Sequence, residues 1–553
     1  MTMKILKPTL VAGLAVLVFA SDAAAQHMHG HDPSEDLGQV NFRISCSPAV
    51  QKQFNRAVAW LHSFEYEEAE KGFSQVTAAD PRCAMGYWGI AMSQYHPLWA
   101  PPTPAQLQKA ASTLELARTV NARTPRERDY LAAIEVFYRG ADKLDHKTRT
   151  LAYSKAMEDL YRRYPADNEA GVFYALTLIA TGTMANDKSY ANEKKAAQIL
   201  NRVRLREPQH PGVTHYLIHS YDYPALARLA LAAARSYAKI APASAHARHM
   251  PSHIFTRLGL WQEAIRSNLG AEAAAKEFGK RNKLSGAWDE QFHAMDYLAY
   301  AYLQGAQDKQ AEAVLDELNK IPKAEPETFK VAYAYTAIKT RYALERRRWD
   351  EAANMSLPPK SLGGFPWASF RWAEANVQFA RAIGAARSGD AATARDAVGK
   401  LGEIREALIV VKGDYDWAKQ VEIQHRAASA WLARAEGKDE EALRLMRAAA
   451  DLEDATDKHP VTPGAILPVR EMLGDLLSEL NQPGPALQEY ASSLETAPNR
   501  FNSIYGAARA AELAKNHAKA RAYYEQLMAL TAHADSSRPE LQQTRKYLAK
   551  RGH

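Results

Sequence analysis

Two pairs of histidines in this chain repeat at the same spacing. His215 precedes His249 by the same interval that separates His219 from His253. That interval matches the period of about 34 residues that is typical of helical hairpins stacked side by side into a solenoid. Residues one period apart occupy equivalent places on successive hairpins, so the four histidines are predicted to form two rows on one surface. The spacing therefore constrains both the fold and the position of a site.

The first 25 residues have the pattern of a secretory signal peptide. Lys4 and Lys7 precede an apolar stretch over residues 10–20, and residues 23–25 give an Ala-x-Ala cleavage pattern. The apolar stretch is too short to cross a bilayer as a helix, and no later segment has 18 uninterrupted apolar residues. We therefore expect residues 1–25 to be removed and the mature protein to be periplasmic or secreted, with no membrane span.

Several other segments show the same hairpin pattern. The clearest begins near Gly464 and ends at Pro498, with Gly474 on its first helix and Ala486 and Tyr490 on its second. Small residues let the two helices cross closely, the aromatic ring fills the gap between them, and the proline ends the second helix. With these residues the chain resembles the tetratricopeptide-repeat family, which implies an all-α, TPR-type α-solenoid of roughly ten hairpins.

Three longer segments make the resemblance more specific, because they point to one group of repeat proteins. They read HPGVTHYLIHSYDYPALA (210–227), HARHMPSHIFTRLGLW (246–261) and KHPVTPGAILPVREMLGD (458–475). Similar segments occur in a large group of exported bacterial repeat proteins, most of them without an assigned activity. We expect a flexible, His-rich segment over residues 26–45 and an N-terminal array with a His-rich concave groove over residues 46–340. A C-terminal array with a capping helix should follow over residues 341–553.

In the family that the chain resembles, the first helix of each hairpin lines a concave groove, where ligands bind. First helices are predicted near residues 211–221, 251–257 and 292–302. The candidate ligand-binding residues on or beside them are His215, His219, His246, His249, His253, His293 and Asp296, with Arg248 as the partner of an anion. We expect this groove to hold a small ligand, a peptide or a protein partner without catalysis.

The same histidines also suit a transition metal. His215 and His219 are four residues apart and share one helix face, a spacing common at zinc sites. An alternative hypothesis is therefore a Zn or Cu site formed by His215, His219, His249 and His253, in a protein that could be a metal-dependent enzyme. A third interpretation gives the histidines a structural role only, with their rings bonded to carbonyls or packed between aromatic side chains.

The two cysteines and the net charge indicate whether the chain has a disulfide and whether it binds nucleic acid. Cys46 and Cys83 are the two cysteines of the chain, and in an exported protein we expect them to form a disulfide, with two buried thiols as the alternative. The net charge of +7 is small for 553 residues, and the basic residues are interspersed with acidic ones. Since there is no basic block, no nucleic-acid partner is expected.

Overall fold

The fold is an all-α solenoid of the tetratricopeptide type, which confirms the predicted class. A computed structural model describes residues 36–185, 187–356, 362–411, 413 and 415–550. These residues form 26 α-helices and no strand, apart from one isolated bridge between Ala287 and Ala324. The predicted signal peptide and residues 26–35 of the predicted His-rich segment lie outside the described residues.

The helices of the N-terminal half are α1 (Gln51–His62), α2 (Tyr66–Ala79), α3 (Ala84–Met92), α4 (Pro104–Val120), α5 (Pro125–Tyr138), α6 (His146–Arg163), α7 (Asn168–Ala185), α8 (Ala191–Arg204), α9 (Pro211–Tyr221), α10 (Leu231–Ile240), α11 (Ala245–His249), α12 (Pro251–Arg257) and α13 (Trp261–Arg281). Those of the C-terminal half are α14 (Asp289–Gln304), α15 (Asp308–Lys320), α16 (Phe329–Leu344), α17 (Trp349–Ala353), α18 (Arg371–Ser388), α19 (Ala391–Ile409), α20 (Trp417–Ala435), α21 (Asp439–Asp454), α22 (Val469–Glu479), α23 (Pro483–Thr496), α24 (Phe501–Leu513), α25 (His517–Leu530) and α26 (Pro539–Lys550).

Successive helices pack as hairpins, beginning with α1 against α2 and ending with α24 against α25. Since α11 and α12 act as one interrupted first helix and α26 covers the C-terminal end, the 26 helices make twelve pairs. The predicted hairpin near Gly474 shows how the pairs fit. A Cβ at Gly474 would lie 2.8 Å from the Tyr490 ring, and one at Gly506 would lie closer still. The ring therefore fills a gap that only glycines leave open.

The first helix of the central hairpin is interrupted at a proline. Pro251 has no N–H and cannot donate to the preceding turn, so α11 ends at His249 and α12 begins at Pro251. Met250 between them keeps helical dihedral angles, with φ −51° and ψ −35°. Because the interruption does not reverse the chain, the histidines of both short helices face the same side.

The solenoid curls until helices that are distant in sequence meet. α1 contacts α9, and α14 contacts α24. The hydroxyl of Tyr216 on α9 lies 3.0 Å from Nδ1 of His62 on α1, and the hydroxyl of Tyr300 on α14 accepts a hydrogen bond of 2.8 Å from Arg500 before α24. As a result the inner face of the central hairpins is buried, not an open groove.

Residues 36–45, the described part of the segment predicted to be flexible, are instead packed against the core. Leu37, Val40 and Phe42 are buried, and the Phe42 ring packs 5.5 Å from that of Trp88. These apolar side chains tie this stretch to the first hairpins, so it is part of the core. Directly after it, Cys46 forms a disulfide with Cys83 across a Cα–Cα distance of 5.0 Å.

None of the described helices combines the length and the apolar character that crossing a bilayer requires.

Candidate metal centre

Three histidines converge where the α9–α10 hairpin meets α11 of the next hairpin, and we call them the first triad. His215 and His219 lie one turn apart on α9, and His246 comes from α11. The Nε2 atom of His215 lies 3.1 Å from Nε2 of His219 and 3.2 Å from Nε2 of His246. All three side chains are buried. Their nitrogens therefore point to one shared position.

Three further histidines form a second triad next to the first. His249 comes from α11, His253 from α12 and His293 from α14. The Nε2 atoms of His249 and His253 are 3.1 Å apart, and the His293 ring centroid lies 4.0 Å from that of His249. In each triad, one nitrogen of every ring lies within 4.8 Å of the others. The second triad is buried as well.

The two triads are the same motif one repeat apart. In each, a His-x-x-x-His pair is followed by a third histidine from the next hairpin, and the interval to that histidine is longer in the second triad. The additional residues are accommodated by α13, which is 21 residues long where α10 has 10, and by the loop that follows it. The repeat geometry therefore produces the site twice.

The hydrogen bonds around the second triad fix where the protons lie. Nδ1 of His249 is 2.7 Å from Oδ1 of Asn268, whose own amide donates to the Ala264 carbonyl. Nδ1 of His253 is 3.0 Å from the Asp222 carboxylate. Both partners are acceptors, so each Nδ1 must carry its proton, and each neutral ring presents a lone pair at Nε2. Two lone pairs therefore face each other at 3.1 Å, which is repulsive unless a cation or a proton lies between them.

Burial opposes a proton at that position. It holds the pKa of His249 well below the usual range, and the neighbouring His253 adds to the effect. Burial also lowers the pKa of His253, although Asp222 acts in the opposite direction. Neutral imidazole is the form that binds a metal. With Zn–N bonds of 2.0–2.1 Å, neighbouring nitrogens of a tetrahedral site lie about 3.3 Å apart. The Nε2 atoms of His215 and His219, of His215 and His246, and of His249 and His253 are 3.1, 3.2 and 3.1 Å apart, which is close to that spacing.

In the first triad, one ring has a hydrogen-bonded acceptor behind it and a second ring has a carboxylate nearby. Nδ1 of His215 donates to the backbone carbonyl of His62 at 2.7 Å, which leaves a lone pair at Nε2. Nδ1 of His246 lies 3.8 Å from the Glu290 carboxylate. Burial, followed by the charges of His219 and His246, holds the pKa of His215 well below the usual range. Acceptors behind the rings are a regular feature of histidine metal ligands, because they fix the tautomer and the orientation.

A third group, His62 and His210 around Glu169, is closed by its own hydrogen bonds. Nδ1 of His210 accepts from the Val213 backbone N–H, so its Nε2 is protonated and donates to Glu169 at 3.0 Å. Nε2 of His62 donates to the other Glu169 oxygen at 2.9 Å, and its Nδ1 accepts from the Tyr216 hydroxyl. Every ring nitrogen of this group therefore has a hydrogen-bond partner within the fold, and no lone pair is left for a metal.

Two carboxylates supply negative charge beside the triads. Asp222 accepts from Nε of Arg257 at 2.8 Å, and Glu290 accepts from Nζ of Lys330 at 2.5 Å. Burial alone would raise both pKa values, but Lys458 and Arg257 hold the pKa of Asp222 well below its usual range, and Lys330 does the same for Glu290. Both groups are therefore ionised near the six rings.

The structure corrects the grouping of the predicted metal ligands. His215, His219, His249 and His253 do not surround one position, because each His-x-x-x-His pair belongs to a different triad. His246 and His293, which were expected only to contact a ligand, complete the two sets. The repeat explains the difference, since the third histidine of each triad is supplied by the following hairpin.

Asp296 and Arg248, which were also predicted to bind a ligand, belong to neither triad. Asp296 forms a buried ion pair with Arg341 at 2.6 Å, and burial raises its pKa to about 6. Arg248 donates from Nε to the Pro242 carbonyl at 2.6 Å. Arg257, one turn of α12 beyond His253, is the arginine that reaches the histidine region.

Among the groups behind the rings, sequence reasoning pointed to Asp222 and Glu290 but missed Asn268 and the His62 carbonyl. Asn268 is a buried amide on α13, where Glu272 is the other buried polar residue and Ala264 and Ala271 are buried neighbours, and a polar side chain among such alanines is a signal the sequence contains. The His62 carbonyl gives no such signal, because it is a backbone atom that the curl of the solenoid brings to His215 from 153 residues away.

A cavity of about 920 Å³, which we call the chamber, reaches the first triad through His219. Trp99, Tyr223, Arg257 and Lys458 also line it. The Trp99 ring centroid lies 5.7 Å from that of His219. The chamber therefore connects one triad to a space large enough for an organic ligand.

No protein-family model matches the sequence, and neither does any curated protein. Solved structures similar to it include the human IFIT1 dimer with m7Gppp-AAAA, with 13% identity, a TM-score of 0.37 and coverage of 81% of this chain and 90% of that one. Naa15/Naa10 bound to HypK-THB has 13% identity, a TM-score of 0.24 and coverage of 90% and 73%. Likenesses at this level carry no functional argument, and the expectation that nucleic acid is not a partner stays a prediction.

Proposed function

We propose that this protein is a transition-metal-binding solenoid that holds two metal ions per chain, one in each histidine triad. The observation that supports this most directly is the pair of Nε2 lone pairs of His249 and His253 at 3.1 Å, with both Nδ1 protons engaged elsewhere. A divalent cation between the rings turns the repulsion into two coordination bonds.

The donor set favours Zn or Cu. Six imidazoles and no thiolate or carboxylate ligand suit borderline metals better than Mg or Ca, which prefer oxygen ligands. Three histidines per ion leave one position of a tetrahedron for water or another ligand, as in zinc sites that bind substrates. Asp222 and Glu290 offset part of the positive charge without binding the ions themselves.

We also propose that the histidine region binds a ligand or a protein partner in addition to metal, as the repeat fold suggests. The chamber beside the first triad supports this part of the proposal, because it offers a concave surface with aromatic and charged side chains. Export belongs to the proposal as well. N-terminal sequencing of protein recovered outside the cytoplasm should give a chain that begins at Gln26.

The decisive experiment measures metal content. The purified chain, loaded with Zn²⁺ or Cu²⁺ and passed over a desalting column, should retain two equivalents by elemental analysis. Asn268→Leu removes the acceptor behind His249 and should lower the affinity of one of the two sites about 10- to 100-fold in a chelator competition. Asn268→Asp keeps an acceptor there and should retain tight binding.

The matched control addresses the third histidine group. His210→Asn keeps an oxygen that can cap α9, and it removes a ring that we assign no metal. This variant should still hold two equivalents. A chain that retains no metal, and whose melting temperature is the same with and without Zn²⁺ or Cu²⁺, would refute the proposed function.

A further inference from the structure

We infer that the two metal positions differ in function: the first triad accepts a small organic carboxylate from the chamber, whereas the second triad is closed to external ligands. This inference rests on the proposed metal binding and assigns a ligand class to one half of it. It follows from what covers each triad and from the charges around the chamber.

The second triad is covered by one side chain. The ring centroid of Tyr297 lies 4.7 Å from that of His249, 5.1 Å from that of His253 and 5.4 Å from that of His293. The Tyr297 hydroxyl lies 3.4 Å from both ring nitrogens of His253 and donates to the Val461 carbonyl at 3.1 Å. Because this hydrogen bond holds Tyr297 in place, its ring fills the space beside the three histidines of the second triad.

The first triad is packed against aromatic rings, but one of its members, His219, also lines the chamber. Phe64 packs against its rings, at centroid distances of 4.4 Å from His215 and 5.9 Å from His246. His219 forms part of the chamber wall, and Trp99 flanks it there. A ligand in the chamber can therefore approach an ion held by His219, and the fourth coordination position of that ion is the natural place for it.

The charges at this end of the chamber favour an anion. An ion bound by three neutral imidazoles keeps its full double positive charge. Arg257 and Lys458 both line the chamber and share one carboxylate, since Arg257 Nε lies 2.8 Å and Lys458 Nζ 3.7 Å from Asp222. Lys458 donates its hydrogen bonds to the His459 and Pro460 carbonyls, which carry no charge.

The other carboxylates of the chamber wall already have local partners. Asp457 pairs with Lys188 at 2.7 Å, Asp145 caps α6, Asp416 caps α20, Asp187 accepts from Ser189, and Glu193 accepts from Tyr223. The positive charge that a carboxylate would meet is therefore local to His219: it comes from the proposed ion, from Arg257 and from Lys458, whose pKa burial lowers to about 7.

The remaining residues of the chamber wall favour a ligand whose carboxylate is attached to an apolar group. Leu98, Trp99, Ile179, Met184 and Pro460 contribute apolar surface to the chamber. The volume of about 920 Å³ lies in the range of pockets that enclose organic ligands. A carboxylate on an aromatic or aliphatic body matches both the charge at one end and the apolar surface along the wall.

The test uses the full chain loaded with two equivalents of Co²⁺, whose visible spectrum reports on coordination. Azide probes the open metal position, and benzoate probes the chamber. We expect one azide per chain, a spectral change in half of the cobalt, and displacement of azide by benzoate. His219→Ala with His246→Ala should abolish the azide response, and His249→Ala with His293→Ala should preserve it.

A charge variant tests the anion part of the inference. Lys458→Met should weaken benzoate binding about tenfold, the factor expected when one charged hydrogen-bond donor is lost. Lys400→Met removes a lysine that pairs with Asp396 on the surface of α19 and should leave benzoate affinity within about twofold.

The outcomes separate this inference from the proposed function. Failure to take up Co²⁺, Zn²⁺ or Cu²⁺ would refute metal binding itself. Uptake of two metal ions without an azide response, with two azides per chain, or with a response that survives loss of the first triad would refute only the inference. An unchanged benzoate affinity in Lys458→Met would refute the carboxylate assignment.

Discussion

At the residue scale, the position of one proton on each ring decides what a buried histidine of this protein can do. His210 accepts a backbone N–H at Nδ1 and donates from Nε2, so its donor and acceptor capacities are both used inside the fold. His215 donates from Nδ1 to a carbonyl, so its Nε2 lone pair remains for a metal. Equally buried rings thus separate into those whose nitrogens are all hydrogen-bonded within the fold and those that keep an Nε2 lone pair for the proposed metal.

The same reasoning gives a pH-dependence at a histidine outside the triads. Nδ1 of His459 accepts from the Val461 N–H at 3.2 Å, and its ring stacks on Trp417. Burial, assisted by Lys458, lowers the pKa of His459 to about 3. Between that value and the unfolded value of about 6.5, the unfolded chain binds a proton that the folded chain does not. Each unit by which the pH is lowered within this window should therefore reduce the free energy of unfolding by about 1.4 kcal/mol through this residue.

Asn at position 459 keeps an acceptor for Val461 and cannot titrate, so His459→Asn isolates the effect. Urea unfolding at pH 7 and at pH 5 should show wild type losing about 2 kcal/mol more than the variant over this interval, since the remaining histidines contribute equally to both chains. Parallel pH profiles of the two proteins would mean that His459 titrates normally in the folded state.

At the element scale, the first triad depends on how closely α9 approaches the C-terminal end of α1. A Cβ at Gly212, in the first turn of α9, would lie 2.5 Å from Nδ1 of His62. The His62 ring cannot yield easily, because hydrogen bonds to Glu169 and Tyr216 hold both of its nitrogens. Its carbonyl is the acceptor that orients His215, so the helix contact is linked to the metal site that we propose.

Gly212→Ala should therefore affect stability and one metal site together. Overpacking of this kind costs about 1–3 kcal/mol, and displacement of the His62 carbonyl should weaken the first metal site about tenfold while sparing the second. Unfolding curves and chelator competition on the same preparation measure both effects. Gly399→Ala on α19, where a Cβ meets nothing within 4 Å, should instead be neutral or stabilise by up to about 1 kcal/mol. Equal metal affinities in both glycine variants would contradict the link.

The elements themselves were largely predictable from the sequence. The first helices expected near residues 211–221 and 251–257 are α9 and α12, because a proline opens each of them and the repeat fixes their phase. The grouping of the histidines was not predictable in the same way. Rows of equivalent residues say which side chains face inward, but whether a ring turns toward the preceding or the following hairpin depends on distant groups such as the His62 carbonyl and Asn268.

At the scale of the whole molecule, the curl of the solenoid adds contacts that a linear repeat array lacks. In an extended array each repeat contacts only its neighbours, and stability is close to a sum of local terms. Here the guanidinium of Arg500, just before α24, is fully buried and donates to Tyr300 at 2.8 Å, to Glu345 at 2.8 Å and to Glu471 at 3.0 Å. No repeat spacing predicts this junction, whose partners are up to 200 positions apart in the chain.

Arg500→Met should therefore loosen the junction as a whole. The substitution leaves the carboxylates of Glu345 and Glu471 buried without their cation, a change that costs about 3–5 kcal/mol. The urea midpoint should fall accordingly, and small-angle scattering should show a larger radius of gyration, because the contact between α14 and α24 opens. Arg395→Met is the matched control, since Arg395 pairs with Glu436 at 62% exposure and should contribute under about 1 kcal/mol. If both variants unfold at the same urea concentration and keep the wild-type dimensions, the junction does not couple the distant repeats, and each hairpin is stabilised by its neighbours alone.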